Sequence, residues 1–165
     1  MNSLHSSLHG IKQKDLLLLA CLRENARKTL TEISRQTKIP ISTIFDRLKT
    51  TRESIIKKHT TIIDFAMLGF NTTAKIVFKT QKDKREELKN FLLKHQNINS
   101  IYKINNGYDF LVEGIFRNIK ELEDFSEMLE EKFKIRSKQV YYVIEEIARE
   151  QFFSKPEHLE ILTAQ

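Results

Sequence analysis

Residues 30–49 read LTEISRQTKIPISTIFDRLK, and their punctuation predicts two short helices around a tight turn. Just before the stretch, Thr29 stands three residues ahead of Glu32. That is the spacing of a capping box, in which the hydroxyl caps a backbone N–H and the carboxylate reaches back. A helix therefore starts near residue 30 and stops near Lys38. Pro40 blocks its continuation and suits the first turn of a new helix. The new helix is expected over about 41–52. Ile41, Ile44, Phe45 and Leu48 fall at i, i+3, i+4 and i+7, so they are expected to form one apolar stripe facing a core.

Upstream, KQKDLLLLACLREN predicts a first helix over roughly 12–25 for the two to pack on. Downstream, SIIKKHTTIID (54–64) is rich in Ile and Thr and carries Lys57, Lys58 and His59 at its middle. It reads as two short strands around a basic turn. Three helices followed by a basic hairpin make a winged helix-turn-helix. The positioning helix lies near 30–38 and the recognition helix near 41–52. If the apolar stripe docks inward, the polar face of the third helix points out. Ser42 and Thr43 are short enough to let its N-terminus approach a groove floor. Arg47, Lys49, Thr50 and Arg52 can reach phosphates or base edges. Asp46 repels phosphate, but it can accept from a cytosine amino group or pin Arg47. Lys57, Lys58 and His59 are expected at the wing tip, near the DNA backbone or the minor groove.

Charge supports that partner. Residues 1–64 hold 12 Lys+Arg against 6 Asp+Glu, and residues 65–165 hold 16 against 16. The whole excess of +6 therefore lies in the first part of the chain. A basic half-chain points to a polyanion, most often nucleic acid.

The remainder follows a different rhythm. TAKIVFKT (73–80) alternates as a strand, and KDKREELKNFLLKHQ (82–96) has helical spacing. NSIYKINNGYDFLVEGIF is a hairpin about Asn106-Gly107. NIKELEDFSEMLEEKF (118–133) is a helix, and KQVYYVIEE (138–146) a last strand. The order β-α-β-β-α-β predicts a ferredoxin-like antiparallel sheet with both helices on one face. The overall class is thus α+β. The other face is expected to be open and to carry Tyr102, Val112 and residues of VYYVI. A second copy of the chain would cover it most simply.

The expected organisation is a flexible tail (1–11), a winged helix-turn-helix (12–64), a linker (65–72), the sheet domain (73–153) and a C-terminal tail (154–165). No apolar run approaches the ~20 residues of a membrane span. The N-terminus lacks the features of a signal peptide. The single Cys21, set among leucines, reads as a buried hydrophobe in a reducing cytoplasm.

The chain resembles the leucine-responsive/asparagine-regulator (Lrp/AsnC) family of prokaryotic transcription regulators over about 12–153. The matching stretches are D…LLACLRENARKTLTEIS, IPISTIFDRLK, LGF before the first strand, NNGYDFLVEG and VYYVIEE. The resemblance implies a DNA-binding dimer that can stack into larger rings through the sheet domain, often called RAM. It also implies an amino-acid effector near the loop Asn105, Asn106, Gly107, Tyr108 and Asp109. Within that loop, Asp109 would face the ammonium group and the Gly107 turn the carboxylate. One departure is local: TTRESIIKKHT has no glycine where family members usually carry one between third helix and wing.

Two other readings compete. One is an architectural protein that coats DNA without operator preference. The other is an enzyme resembling the sirohaem decarboxylases, which share this layout. The five histidines, His5, His9, His59, His95 and His158, are scattered along the chain, and no nucleophile–base pair stands out. No catalytic residue, metal site or cofactor is therefore expected.

Overall fold

The computed structural model describes residues 12–155, which divide into two compact units. One runs to Thr61 and takes in the described residues from Ile147 onward; the other is Ile62–Glu146.

The first unit is helical. It contains α1 (Gln13–Glu24), α2 (Leu30–Thr37) and α3 (Ile41–Ser54). The expected capping box forms: Glu32 N donates to the Thr29 hydroxyl at 3.2 Å, and Thr29 N donates to the Glu32 carboxylate at 2.7 Å. Two orphan N–H groups at the start of α2 are thereby satisfied. The helix ends at Lys38, whose φ of 59° turns the chain left-handed. Ser34 Oγ donates to the Ile39 carbonyl at 2.7 Å and holds the turn closed. Pro40 then supplies the first carbonyl of α3, accepting from Ile44 N at 3.0 Å. The core behind these helices is Leu18, Cys21, Ile33, Ile39 and Ile44, with Leu22, Leu30 and Leu48 around it. Burial pushes the Cys21 thiol above its ordinary pKa, as suits a small hydrophobe.

Residues 147–155 return to this unit. Phe153 packs on Leu16 and Ala20 of α1. Arg23 pairs with Glu150 at 2.6 Å and also donates to the Glu150 and Phe152 carbonyls at 3.0–3.2 Å. Residues 147–153, expected with the sheet domain, thus group with the helices.

The wing hairpin does not form. Residues 55–64 contain no strand and none of them takes a positive φ. Lys57, Lys58 and His59 stand exposed on a segment without regular secondary structure instead. The physical reason lies in the sequence. A tight hairpin needs residues that tolerate φ > 0, and this stretch has no glycine or asparagine. Two short strands alone are marginal in any case.

The second unit is the expected sheet-and-helix layer. It contains β1 (Thr72–Thr80), α4 (Arg85–Lys94), β2 (Ile98–Lys103), β3 (Phe110–Phe116), α5 (Ile119–Phe133) and β4 (Ile135–Tyr142). Strand order is β2-β3-β1-β4, antiparallel throughout. Ala74, Ile76 and Phe78 of β1 and Phe110, Val112 and Phe116 of β3 face the helices. There they meet Leu88, Leu92, Leu122, Phe125, Leu129 and Phe133. Asn118 caps α5 by accepting from Glu121 N at 2.9 Å.

Two expectations about this unit are corrected. Val112 is fully buried on the helix side rather than on the open face, because it pairs in register with Ile76 in the middle of the core. The last strand ends at Tyr142 instead of 146: one more backbone bond runs from Val143 N to the Thr73 carbonyl at 2.9 Å, and the register of Ala74 opposite Tyr142 sets Glu145 and Glu146 past Thr72, where β1 begins. Tyr102 and Tyr141 do lie exposed on the open face, opposite Leu111 and Lys75. In its middle, Lys75 pairs with Glu113 at 2.7 Å, and the Asn99 amide donates to the same carboxylate.

Candidate nucleic-acid interface

The two unlike faces of α3 decide what the helical unit can touch. Its inner side is Ile44, fully buried, and Leu48, half-buried. Ile41 and Phe45 do not join them; they are 46% and 62% exposed. The stripe expected from spacing is therefore rotated, by roughly 60° at 3.6 residues per turn. Ile33, Ile39 and Ile44 already fill the small core, which has room for one apolar ridge and not two. The side that turns inward with Ile44 carries Arg47.

Arg47 is accordingly not part of a free outer face. Its Nη1 donates to Asp15 Oδ1 of α1 at 2.6 Å, and the two side chains are only 22% and 14% exposed. The other oxygen, Asp15 Oδ2, accepts from Lys12 N at 2.9 Å, which closes the N-terminus of α1. One carboxylate thus caps one helix and holds another. Sequence reading missed Asp15, because a pair 32 residues apart leaves no local signal.

The outward residues of α3 are Ser42, Phe45, Asp46, Lys49 and Thr50, with Thr43 half-buried beside them. Thr50 Oγ1 donates back to the Asp46 carbonyl at 3.4 Å. A shallow cleft lies along the α1 side of this face, lined by Lys12, Asp15, Thr43, Asp46, Arg47 and Thr50. The side chain of Arg52 lies outside the described residues. Lys57, Lys58 and His59 follow on the irregular segment, exposed to solvent.

In the second unit, the loop from Asn105 to Asp109 closes the β2–β3 hairpin. Asn106 and Gly107 take φ of 58° and 87°, and Tyr108 N donates to the Asn105 carbonyl at 3.4 Å. Two positive φ values in a two-residue loop match the twist of the flanking strands, which is why Asn-Gly stands there. Asp109 is held within the chain. Its Oδ1 pairs with Arg85 Nη2 at 2.7 Å, Oδ2 accepts from Thr80 N at 2.9 Å, and the side chain is only 10% exposed. The carboxylate expected to face an ammonium group thus already has a guanidinium against it.

Among the described residues, no three His, Cys, Asp or Glu side chains converge as metal ligands. His59 and His95 belong to different units, and His5, His9 and His158 lie outside the described residues. No described helix is long and apolar enough to cross a membrane.

Comparison with known proteins places both units. Residues 73–151 match the family model for the Lrp/AsnC ligand binding domain, and residues 11–50 match one for a winged helix-turn-helix DNA-binding domain. The second match ends before the segment in which no wing forms. The HTH-type transcriptional regulator FL11 of Pyrococcus furiosus is 34% identical over 116 residues, which are 70% of this chain and 77% of that protein. Its counterpart in Pyrococcus abyssi is 32% identical over 121 residues, 73% of this chain and 80% of that one. Among solved structures, the transcriptional regulator NMB0573 of Neisseria meningitidis, in complex with L-Met, superposes with a TM-score of 0.78 at 22% identity. That superposition covers 84% of this chain and 93% of the other. LrpC of B. subtilis superposes with a TM-score of 0.76 at 19% identity, over 84% and 97%.

Proposed function

The chain belongs to the Lrp/AsnC family of transcription regulators, and from that premise we propose that it binds operator DNA as a dimer, with α3 in the major groove. One observation carries this reading. A capped α2 and a closed turn set α3 so that Ile44 anchors it and Ser42, Asp46, Lys49 and Thr50 face outward, within the half of the chain that holds all the net positive charge. Thr43 borders that face. Lys49, Arg52, Lys57, Lys58 and His59 supply phosphate contacts. Arg47 acts through Asp15, holding α3 at its angle on α1.

Dimerisation belongs to the sheet domain. Its open face carries Tyr102 and Tyr141, and Ile144 just beyond β4 is also exposed. A self-complementary contact between two copies covers such a face, and it brings two copies of α3 to two half-sites.

An amino acid is the effector class that fits. The Asn105–Asp109 loop sets the Asn106 amide and the Asp109 carboxylate on either side of the Gly107 turn, and a bound ammonium would take the place of Arg85 on Asp109. The methionine seen with the Neisseria regulator supports the same class. The test of the whole reading is selection of bound fragments from random DNA by the full chain, with and without a mixture of amino acids. Enrichment of a palindromic motif is the expected result. Retention of fragments with no common motif would favour a DNA-coating protein instead.

A further inference from the structure

The outer face of α3 carries side chains that a purely phosphate-binding helix has no use for. Phe45 is 62% exposed, and Ile41 one turn before it is 46% exposed. Burying a phenylalanine side chain away from water is favourable, a gain the free helical unit leaves unused. The core beneath is complete without the ring, since Leu18, Ile33 and Ile44 are fully buried. Helical spacing puts Phe45 between Ser42 and Lys49, next to Asp46. Neither Phe45 nor Asp46 suits a phosphate: one cannot donate to it and the other repels it. Both suit the floor of a major groove, where cytosine offers an amino donor and thymine its C5-methyl group.

We infer that Phe45 is a specificity-determining residue that packs on the C5-methyl group of a thymine in each half-site. The charge of the surrounding half-chain, +6 over residues 1–64, selects a polyanion as what covers this face. The methyl of thymine is the apolar group that such a polyanion presents in its major groove. Ser42, one turn before Phe45, is small enough to let the ring descend to the base edge. The inference rests on the reading of α3 as a recognition helix and adds the base it reads.

The experiment removes the methyl and nothing else. Duplexes selected by the full chain from random DNA are resynthesised with deoxyuridine replacing each thymine in turn. Pairing and the acceptor at O4 are unchanged. The expected result is a loss of affinity of about fourfold per methyl, at one thymine in each half-site. Phe45→Ala should melt as the parent does, bind the parent duplex more weakly, and no longer distinguish thymine from uracil there. Equal binding of thymine and uracil duplexes at every position overturns the assignment, with no variant needed. So does a Phe45→Ala chain that keeps the discrimination, or one that changes its mass in solution and keeps it, which would make the ring a protein–protein contact. If no duplex is enriched at all, the recognition-helix reading fails. If salt-sensitive, motif-specific binding is found without methyl discrimination, that reading stands and only the role of Phe45 falls.

Discussion

Arg47 of α3 meets Asp15 of α1 at 2.6 Å, and the same carboxylate closes the start of α1 by accepting from Lys12 N at 2.9 Å. α3 is therefore tied to the first helix by a partly buried ion pair as well as by the apolar contacts of Ile44 and Leu48. The angle at which α3 leaves the unit depends on both.

Removing Arg47 should cost stability as well as function. Arg47→Ala strands a carboxylate that is 14% exposed, and a stranded polar group of this kind costs about 1–3 kcal/mol. Asp15→Ala should cost a similar amount and should also fray α1. The double variant should lose less than the sum, because the two changes share one interaction. Melting of the two single variants and the double variant checks this. Strict additivity would mean that the pair holds nothing.

Two neighbouring residues on α3 should respond in opposite ways. Ile44→Ala empties a fully buried site and should destabilise by about 2–5 kcal/mol. Phe45→Ala changes an exposed site and should stay within about 0.5 kcal/mol of the parent. Chemical denaturation of both would show it. Equal losses would return Phe45 to the core and the helix to the orientation that spacing alone suggests.

That orientation shows where the sequence stops being informative. Local chemistry was legible: Thr29 with Glu32, Pro40 and Asn106-Gly107 each set a cap or turn that forms. The β-α-β-β-α-β order was legible because alternation and helical spacing differ. What was not legible depends on partners far along the chain. Ile41, Ile44, Phe45 and Leu48 fit one stripe equally well whether two or four of them are inside, and only the size of the core decides. Arg47 reads as a DNA contact until Asp15 is placed opposite it. Asp109 reads as open until Arg85 and Thr80 N are found against it. The wing is a separate case: its Ile and Thr content favours strands, but the missing turn residue outweighs propensity.

At the effector loop, Arg85 and an incoming ammonium compete for Asp109. Arg85→Ala should therefore lower the melting temperature of the free chain and enlarge the shift produced by an amino acid that binds there. Asp109→Ala should abolish the shift. A ligand at 100 times its Kd adds about 2.7 kcal/mol, which is readily seen by thermal shift. Screening the twenty amino acids against the three chains tests the proposal. A shift that Asp109→Ala leaves unchanged would place the ligand elsewhere.

His95 gives the second unit a pH dependence of definite sign. It lies at the end of α4, with its ring centroid 5.3 Å from that of Phe91 and 4.7 Å from that of Phe125. Its Nδ1 accepts from Asn97 N at 3.3 Å, which requires that nitrogen to be unprotonated. Burial holds the imidazole below its ordinary pKa, and the nearby Glu121 carboxylate opposes this without reversing it. The unfolded chain thus takes up a proton near pH 6.5 that the folded chain refuses. Stability from this group is complete above about pH 6.5 and is lost as pH falls through the lower, folded value. Carboxylates titrate at the lower end of the same range, so the readout is a difference. The stability of the parent chain is compared with that of His95→Leu from pH 8 to pH 5. The parent should lose stability relative to the variant as pH falls below about 6.5. A constant difference across the range would mean that His95 titrates alike in the folded and unfolded chains.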